Sequence, residues 1–152
     1  MIRTLFLLSA LAVFGPALLA ECQHVGGAVS TNFLDPATTF GIATGDFAGA
    51  VGVTVLSFSE NSDGTLTFHN QHHWVTATGD TIELEPAYAT GYPSGIKGLY
   101  AAVYAQGVNI KGGTGRFANA TGNMYFYGAV DTVRNQVVLR YEGQVCFGGH
   151  ER

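Results

Sequence analysis

The residues best equipped for chemistry crowd into one stretch, His69-Asn70-Gln71-His72-His73-Trp74, which holds three of the chain's five histidines and its single tryptophan. In an extended chain successive side chains alternate between faces, so Asn70, His72 and Trp74 share one side with Leu66 and Phe68. Polar groups that interrupt an apolar face need partners, and a bound molecule is one way to supply them. Hydrogen bonds to neighbouring strands or to water are the other. No metal site is expected, because His69 and His73 lie on the opposite face and stand about 13 Å apart at roughly 3.3 Å per residue. No cofactor is expected either. Gly-x-Ser-x-Gly, His-Glu-x-x-His, Walker and dinucleotide motifs are all missing from the sequence, which removes support for the common hydrolase and nucleotide classes.

Acids and tyrosines complete the inventory. Glu83 and Glu85 share a face, and a one-residue change in hairpin length decides whether they meet His69 and His73 or Asn70 and His72. Tyr88, Tyr92, Tyr125 and Tyr127 are expected to line a mouth or an outer groove. Near the C-terminus, Val137, Leu139, Tyr141, Gly143, Val145 and Phe147 form an apolar alternating set, with Arg140, Glu142 and Gln144 facing water. The same reading turns Met124, Phe126 and Val130 inward. Over 98–110 it is ambiguous, since Tyr100 and Tyr104 oppose Leu99, Ala101 and Val103. The candidate ligand-binding residues of the interior are therefore Asn70, His72, Trp74, Tyr104, Phe126 and Tyr141, and no catalytic residue is assigned.

The elements that must position these side chains are strands. No segment sustains an amphipathic helical period, whereas two-residue alternation punctuated by the chain's 21 glycines recurs throughout. The pattern predicts strands over 23–33, 38–47, 50–59, 64–77, 81–86, 98–110, 121–131 and 136–147. Asn61-Ser62-Asp63-Gly64, Gly79-Asp80 and Arg134-Asn135 have turn chemistry, so neighbours in sequence pair and a single eight-stranded antiparallel up-and-down β-barrel follows. The segment from Pro86 to Gly98 is expected to be a long loop roofing one end of the barrel.

Residues 1–20, with Arg3 ahead of the apolar run from Thr4 to Phe14 and Ala20 at the end, read as a signal peptide, leaving 21–152 as the barrel domain. The expected destination is secreted or periplasmic. An oxidising compartment makes Cys22 and Cys146 a disulfide joining the first strand to the last. Glu21 argues against a lipid on Cys22, since a lipobox has a small residue there. A net charge of −4 without a basic patch argues against nucleic acid. No second apolar run is long enough to span a bilayer, so no membrane insertion is expected after signal cleavage. Homo-oligomerisation stays open.

Two segments share the pattern TGxFAxAxG: Thr44 to Gly52 and Thr114 to Gly122. Each reads as a glycine turn, an inward-plugging Phe and a glycine opening the next strand. The second belongs to Gly112-Gly113-Thr114-Gly115-Arg116-Phe117-Ala118-Asn119-Ala120-Thr121-Gly122, which resembles the GGTGxFxxAxG signature of the allene oxide cyclase and dirigent superfamily. Asn123 to Val130 and Tyr141-Glu142-Gly143 resemble that superfamily's last strands. The resemblance implies an eight-stranded barrel holding a small hydrophobic molecule, with Gly113, Gly115, Phe117 and Gly122 as a structural corner. Three functions are expected to compete: a barrel binding a small hydrophobic or aromatic molecule, a cyclase, isomerase or dirigent-like stereoselective enzyme, and a disulfide-stabilised interaction module without a ligand. A filled interior would favour the third. A convergent acid and base inside would favour the second.

Overall fold

The computed structural model describes residues 21–148, so the segment read as a signal peptide lies outside the described residues. Ten strand segments follow one another: β1 (Glu21–Asp35), β2 (Thr38–Gly45), β3 (Gly49–Glu60), β4 (Leu66–Thr76), β5 (Thr81–Leu84), β6 (Ala87–Pro93), β7 (Leu99–Val103), β8 (Val108–Gly113), β9 (Thr121–Asp131) and β10 (Gln136–Phe147). Every pairing is antiparallel. β10 pairs with both β9 and β1, which closes the sheet and leaves no free edge along its length. β4 pairs with β5 at one end and β6 at the other, and β9 does the same with β8 and β7. Ten segments thus fill eight positions of a closed all-β barrel, two of whose strands are interrupted.

The expected long loop is not there. Residues Ala87–Pro93 form β6, which continues β5 after a break at Glu85-Pro86, and only a short turn separates Pro93 from Leu99. The break has a physical cause: Pro86 lacks a backbone N–H, and one extra residue here reverses the inward face. Before it Ile82 and Leu84 are buried, after it Ala87, Ala89 and Gly91. Tyr88 and Tyr92 consequently point outward and are exposed. The predicted strand over 98–110 is likewise broken, by a turn in which the Gly107 N–H donates to the Tyr104 carbonyl at 2.9 Å. Ala102, Tyr104, Val108 and Ile110 are buried, which resolves the ambiguous strand in favour of its even positions.

The predicted turns form, with Gly64 (φ 79°), Gly79 (φ 87°) and Asn135 (φ 58°) in left-handed conformations at three of them. Near one end of the barrel Cys22 faces Cys146 across the β1–β10 pair, and the two are bonded. The corner from β8 to β9 holds a short 3-10 turn, Gly115–Phe117, with Phe117 fully buried. Gly113 and Gly122 border it. At Gly122 a Cβ would run into the backbone carbonyl oxygen of Gln144, whereas at Gly115 (φ 53°) it would meet only the movable carboxylate of Asp80.

Two outcomes are expected from this architecture. The protein should contain no free thiol, and reducing a link across 124 residues of sequence should lower unfolding free energy by up to about 4–5 kcal/mol. Mass spectrometry with and without reductant, followed by urea denaturation, checks both. Gly122→Ala, which must displace backbone, should cost about 3 kcal/mol, against about 1 kcal/mol for Gly115→Ala, whose penalty is mainly the left-handed conformation. The reverse order would show that the corner is not held by the β9–β10 contact.

Candidate functional site

The interior divides along the barrel axis into a solid end and an open one. At the solid end Phe47, from the β2–β3 corner, packs edge-on against Phe117 (5.3 Å between ring centroids) and Trp74 (6.3 Å) and lies parallel to Tyr141 (6.1 Å). Its backbone is pinned by side chains. The Phe47 N–H donates to the Tyr141 hydroxyl (2.9 Å), that hydroxyl donates to the Thr44 carbonyl (3.0 Å), and the Trp74 indole N–H donates to the Phe47 carbonyl (2.8 Å). Tyr141 is therefore buried in the interior as its alternation requires, but it belongs to this plug. It is not part of the cavity wall.

Above the plug lies a cavity of about 50 Å³. Its wall is almost wholly apolar, with Val29, Val51, Val53, Ala89, Ala102, Phe126, Val130 and Leu139 among the lining residues and Thr31 and Thr39 as minor polar ones. Half-buried Phe33, Val55 and Phe68 mark the way out, toward the end bearing the β1–β2, β3–β4, β6–β7 and β9–β10 turns. Trp74, His72, Asn70 and Tyr104 also line it. Of the six interior candidates read from the sequence, the fold brings five onto this cavity and places Tyr141 in the plug.

The polar members form one cluster. β4 supplies Asn70 and His72 on its inward face, and the break between β7 and β8 supplies Tyr104. The Asn70 side-chain N–H donates to the Tyr104 hydroxyl at 2.7 Å, and that hydroxyl lies 3.0 Å from His72 Nε2. Next to them Gln71 donates to the Leu84 carbonyl (2.9 Å), which the interruption at 85–86 leaves without a strand partner on β4. A tyrosine hydroxyl has one proton. Because Asn70 already donates to its oxygen, the arrangement that spends all the protons sends the Tyr104 proton to His72 Nε2 and leaves His72 protonated at Nδ1. Two atoms then remain buried without partners, the His72 Nδ1–H donor and the Asn70 Oδ1 acceptor.

Burial sets the charge state. Loss of water pulls His72 down to about 4, with the nearby His73 contributing in the same direction, and pushes Tyr104 up to about 12 against a smaller opposing effect of the Asn70 hydrogen bond. Both are neutral across the physiological range. No carboxylate lines the cavity. Glu83 instead faces His73 on the outer surface, and Glu85 accepts a hydrogen bond from Asn109 (2.9 Å) and lies 3.9 Å from Lys111. His69 stacks on Tyr88 outside the barrel at 4.3 Å. Tyr125 and Tyr127 are exposed, with Tyr125 beside an outer groove that also takes in His24, Glu142 and Gln144. Among the described residues no group of three or more His, Cys, Asp or Glu is placed to hold a metal ion.

Sequence reading missed Thr31, Thr39, Ala89 and Ala102 as cavity residues. The first two are polar types on the inward parity of β1 and β2, so alternation could have found them, whereas Ala89 was hidden by the assumed loop.

No protein-family model and no curated protein matches the chain. Among solved structures, it is similar to a pterocarpan synthase dirigent protein, at 16% identity over 91% of each chain with a TM-score of 0.36. A likeness at that level carries no weight for function, and the barrel rests on its own strand pairing. What fold and site define is a disulfide-linked closed β-barrel with one packed end and one apolar cavity carrying a neutral polar cluster.

The neutral His72 makes stability depend on pH. The unfolded chain titrates near 6.5 and the folded one near 4, so between those values the unfolded state binds a proton that the folded state refuses. This contribution is fully present above pH 6.5, is lost as pH falls toward 4, and levels off below. Its size is at most about 3 kcal/mol. Urea denaturation from pH 7.5 to 4 should show that loss as the difference between the parent and His72→Phe. Equal pH slopes would mean that His72 is hydrated in the folded state.

Proposed function

We propose that this protein is an exported carrier of a small, slender apolar molecule, held in the open half of the barrel against Trp74. The observation that carries this reading is the apolar cavity itself: the interior is plugged at one end and left unfilled at the other, where a purely structural barrel would pack throughout. At about 50 Å³ the space is far below the several hundred Å³ typical of drug-sized pockets. A narrow chain or single ring suits it, with the remainder of a longer molecule emerging past Phe33 and Phe68.

Export rests on the composition of residues 1–20 and fits the Cys22–Cys146 bond, which an oxidising compartment sustains. No described helix is long and apolar enough to cross a membrane. A ring-closing or isomerising enzyme is the competing reading. It is less well supported, because general acid–base catalysis works best with groups that titrate near the operating pH. Here His72 lies far below that range, Tyr104 far above it, and no carboxylate reaches the cavity. The cluster is suited to holding a neutral guest.

Trp74 makes the test direct, since it is the only tryptophan and lines the cavity. Titration with short alkyl or single-ring probes should quench or shift its emission saturably. Ala102→Leu, which adds bulk to a buried lining position, should weaken binding at least tenfold while leaving the far-UV spectrum unchanged. Saturable binding that Ala102→Leu leaves intact would move the ligand out of the barrel and refute the proposal.

A further inference from the structure

We infer that the open end of the barrel docks on a lipid surface of no net charge, the apolar tips of its turns resting among the headgroups and the cavity mouth facing the acyl layer. The docking goes beyond the carrier reading; only its use, passage of the guest between lipid and cavity without crossing water, rests on that reading. The observation is an asymmetry between the two ends. Leu34, Phe58, Ile96 and Val133 are each more than half exposed, and each lies in or beside a different one of the four turns at the open end. Among the described residues, the turns at the plugged end, 46–48, 77–80 and 114–120, carry no exposed large hydrophobic side chain. Scattered apolar residues on a surface need no explanation, but one at every turn of one end and none at the other is a pattern.

The rim is tied together. The Phe33 N–H donates to the Asn135 carbonyl (3.0 Å), the Thr132 N–H to the Gly98 carbonyl (2.8 Å) and the Val55 N–H to the Ala37 carbonyl (2.7 Å), which links the β9–β10 turn to β1 and to the β6–β7 turn, and the β1–β2 turn to β3. Two of the tips have their own N–H groups satisfied without water, Val133 donating to Asp131 Oδ1 (3.0 Å) and Ile96 to Ser94 Oγ (3.2 Å). Such tips can leave water without stranding a donor. Phe58 leads inward, its ring 5.1 Å from that of Phe68, which lines the cavity. Apolar rim and apolar mouth are therefore continuous.

Charge chooses the occupant. Among the tips, Asp35, Glu60, Asp63 and Asp131 outnumber Lys97 and Arg134 by two. Apolar tips separated by charged residues suit an interface in which the tips reach hydrocarbon while the charges stay at headgroup level. A protein interface is depleted of charge at its core, and two copies meeting mouth to mouth would set these carboxylates against each other. The same negative excess is repelled by anionic lipid. Resting on the surface needs no spanning segment.

The experiment is sedimentation of the disulfide-intact protein with sucrose-loaded phosphatidylcholine vesicles, with no small molecule added. Binding should rise saturably with lipid, persist in high salt, and weaken about tenfold when phosphatidylglycerol is mixed in. Leu34→Ser, Ile96→Ser and Val133→Ser combined should weaken it at least tenfold, and Ile96→Ser alone about threefold. Ile42→Ser with Val138→Ser, exposed on the barrel wall, should change it less than twofold. All five positions are exposed, so far-UV spectra should match the parent, and Ile96→Ser against the wall variant decides if the triple variant does not fold. No binding to phosphatidylcholine, tighter binding to the phosphatidylglycerol mixture, or equal losses in rim and wall variants would overturn the inference. Self-association without lipid that the rim substitutions abolish would also overturn it, giving the rim to a second copy. Saturable Trp74 titration without vesicle binding would remove the docking and leave the carrier; vesicle binding with a failed titration would do the reverse.

Discussion

The molecule hangs on the two hydrogen bonds that hold Phe47 and on the third that anchors Tyr141 to the Thr44 carbonyl. A corner residue that plunges its side chain into a barrel drags its backbone inward too, where an unpaired N–H or C=O is expensive. Tyr141 from the last strand supplies the acceptor for the N–H and Trp74 from the fourth supplies the donor for the carbonyl. Four aromatic rings, Phe47, Trp74, Tyr141 and Phe117, then close one end of the barrel from the β2–β3 corner, β4, β10 and the turn before β9. These elements are remote in sequence, and the Cys22–Cys146 link fastens the first and last strands of the same barrel. The other end is lined by valines, alanines and threonines between Phe33, Phe68, Tyr104 and Phe126, and these leave it incompletely filled. The cavity is thus the counterpart of the plug.

Much of this was legible in the sequence, and the failures have definite causes. Period-two alternation assigned the inward faces of β4, β9 and β10, because those strands run unbroken against neighbours on both sides and a register slip would turn each apolar face to water. Alternation says in or out but nothing about depth. Tyr141 and Leu139 share a face, yet one is in the plug and the other lines the cavity. The interrupted positions defeated it in another way. At Glu85-Pro86 the inward parity changes from even to odd, so Ala87, Ala89 and Gly91 lost their periodic relation to Ile82 and Leu84 and, flanked by two prolines, passed for a loop. The turn at 104–107 inserts residues in a number that preserves parity, but tyrosines and alanines on alternating positions gave no contrast to read.

The two TGxFAxAxG segments show how a repeated corner serves the same end. Phe47 and Phe117 occupy equivalent places in the two copies, and their rings meet in the middle of the plug. Gly45 (φ 89°) and Gly115 (φ 53°), also equivalent, take left-handed conformations that let the chain turn inward ahead of each ring. The signature that suggested a barrel family is therefore a device for capping a barrel end. Its Phe117 packs into the plug, and none of its residues lines the cavity. That is why it speaks to architecture and is silent about the cavity.

The character of the cavity is set by how its polar cluster is kept neutral. A charged group here would need a counter-ion or a fixed hydrogen-bond cage, and the wall supplies neither. Burial removes the positive charge from His72 and the acidity from Tyr104, turning two titratable side chains into a fixed pattern of donors and acceptors. Tyr104 is the hinge of that pattern, because its single hydroxyl is shared between Asn70 and His72 and uses up one polar atom of each. It stands at one strand break, and at the neighbouring break Gln71 makes up the pairing that the interruption removes. The interruptions that obscured this part of the chain to sequence reading border its polar site: Tyr104 stands where β7 ends, its backbone N–H still donating to the Phe126 carbonyl at 2.9 Å, and Gln71 and Leu84 meet at the break between β5 and β6.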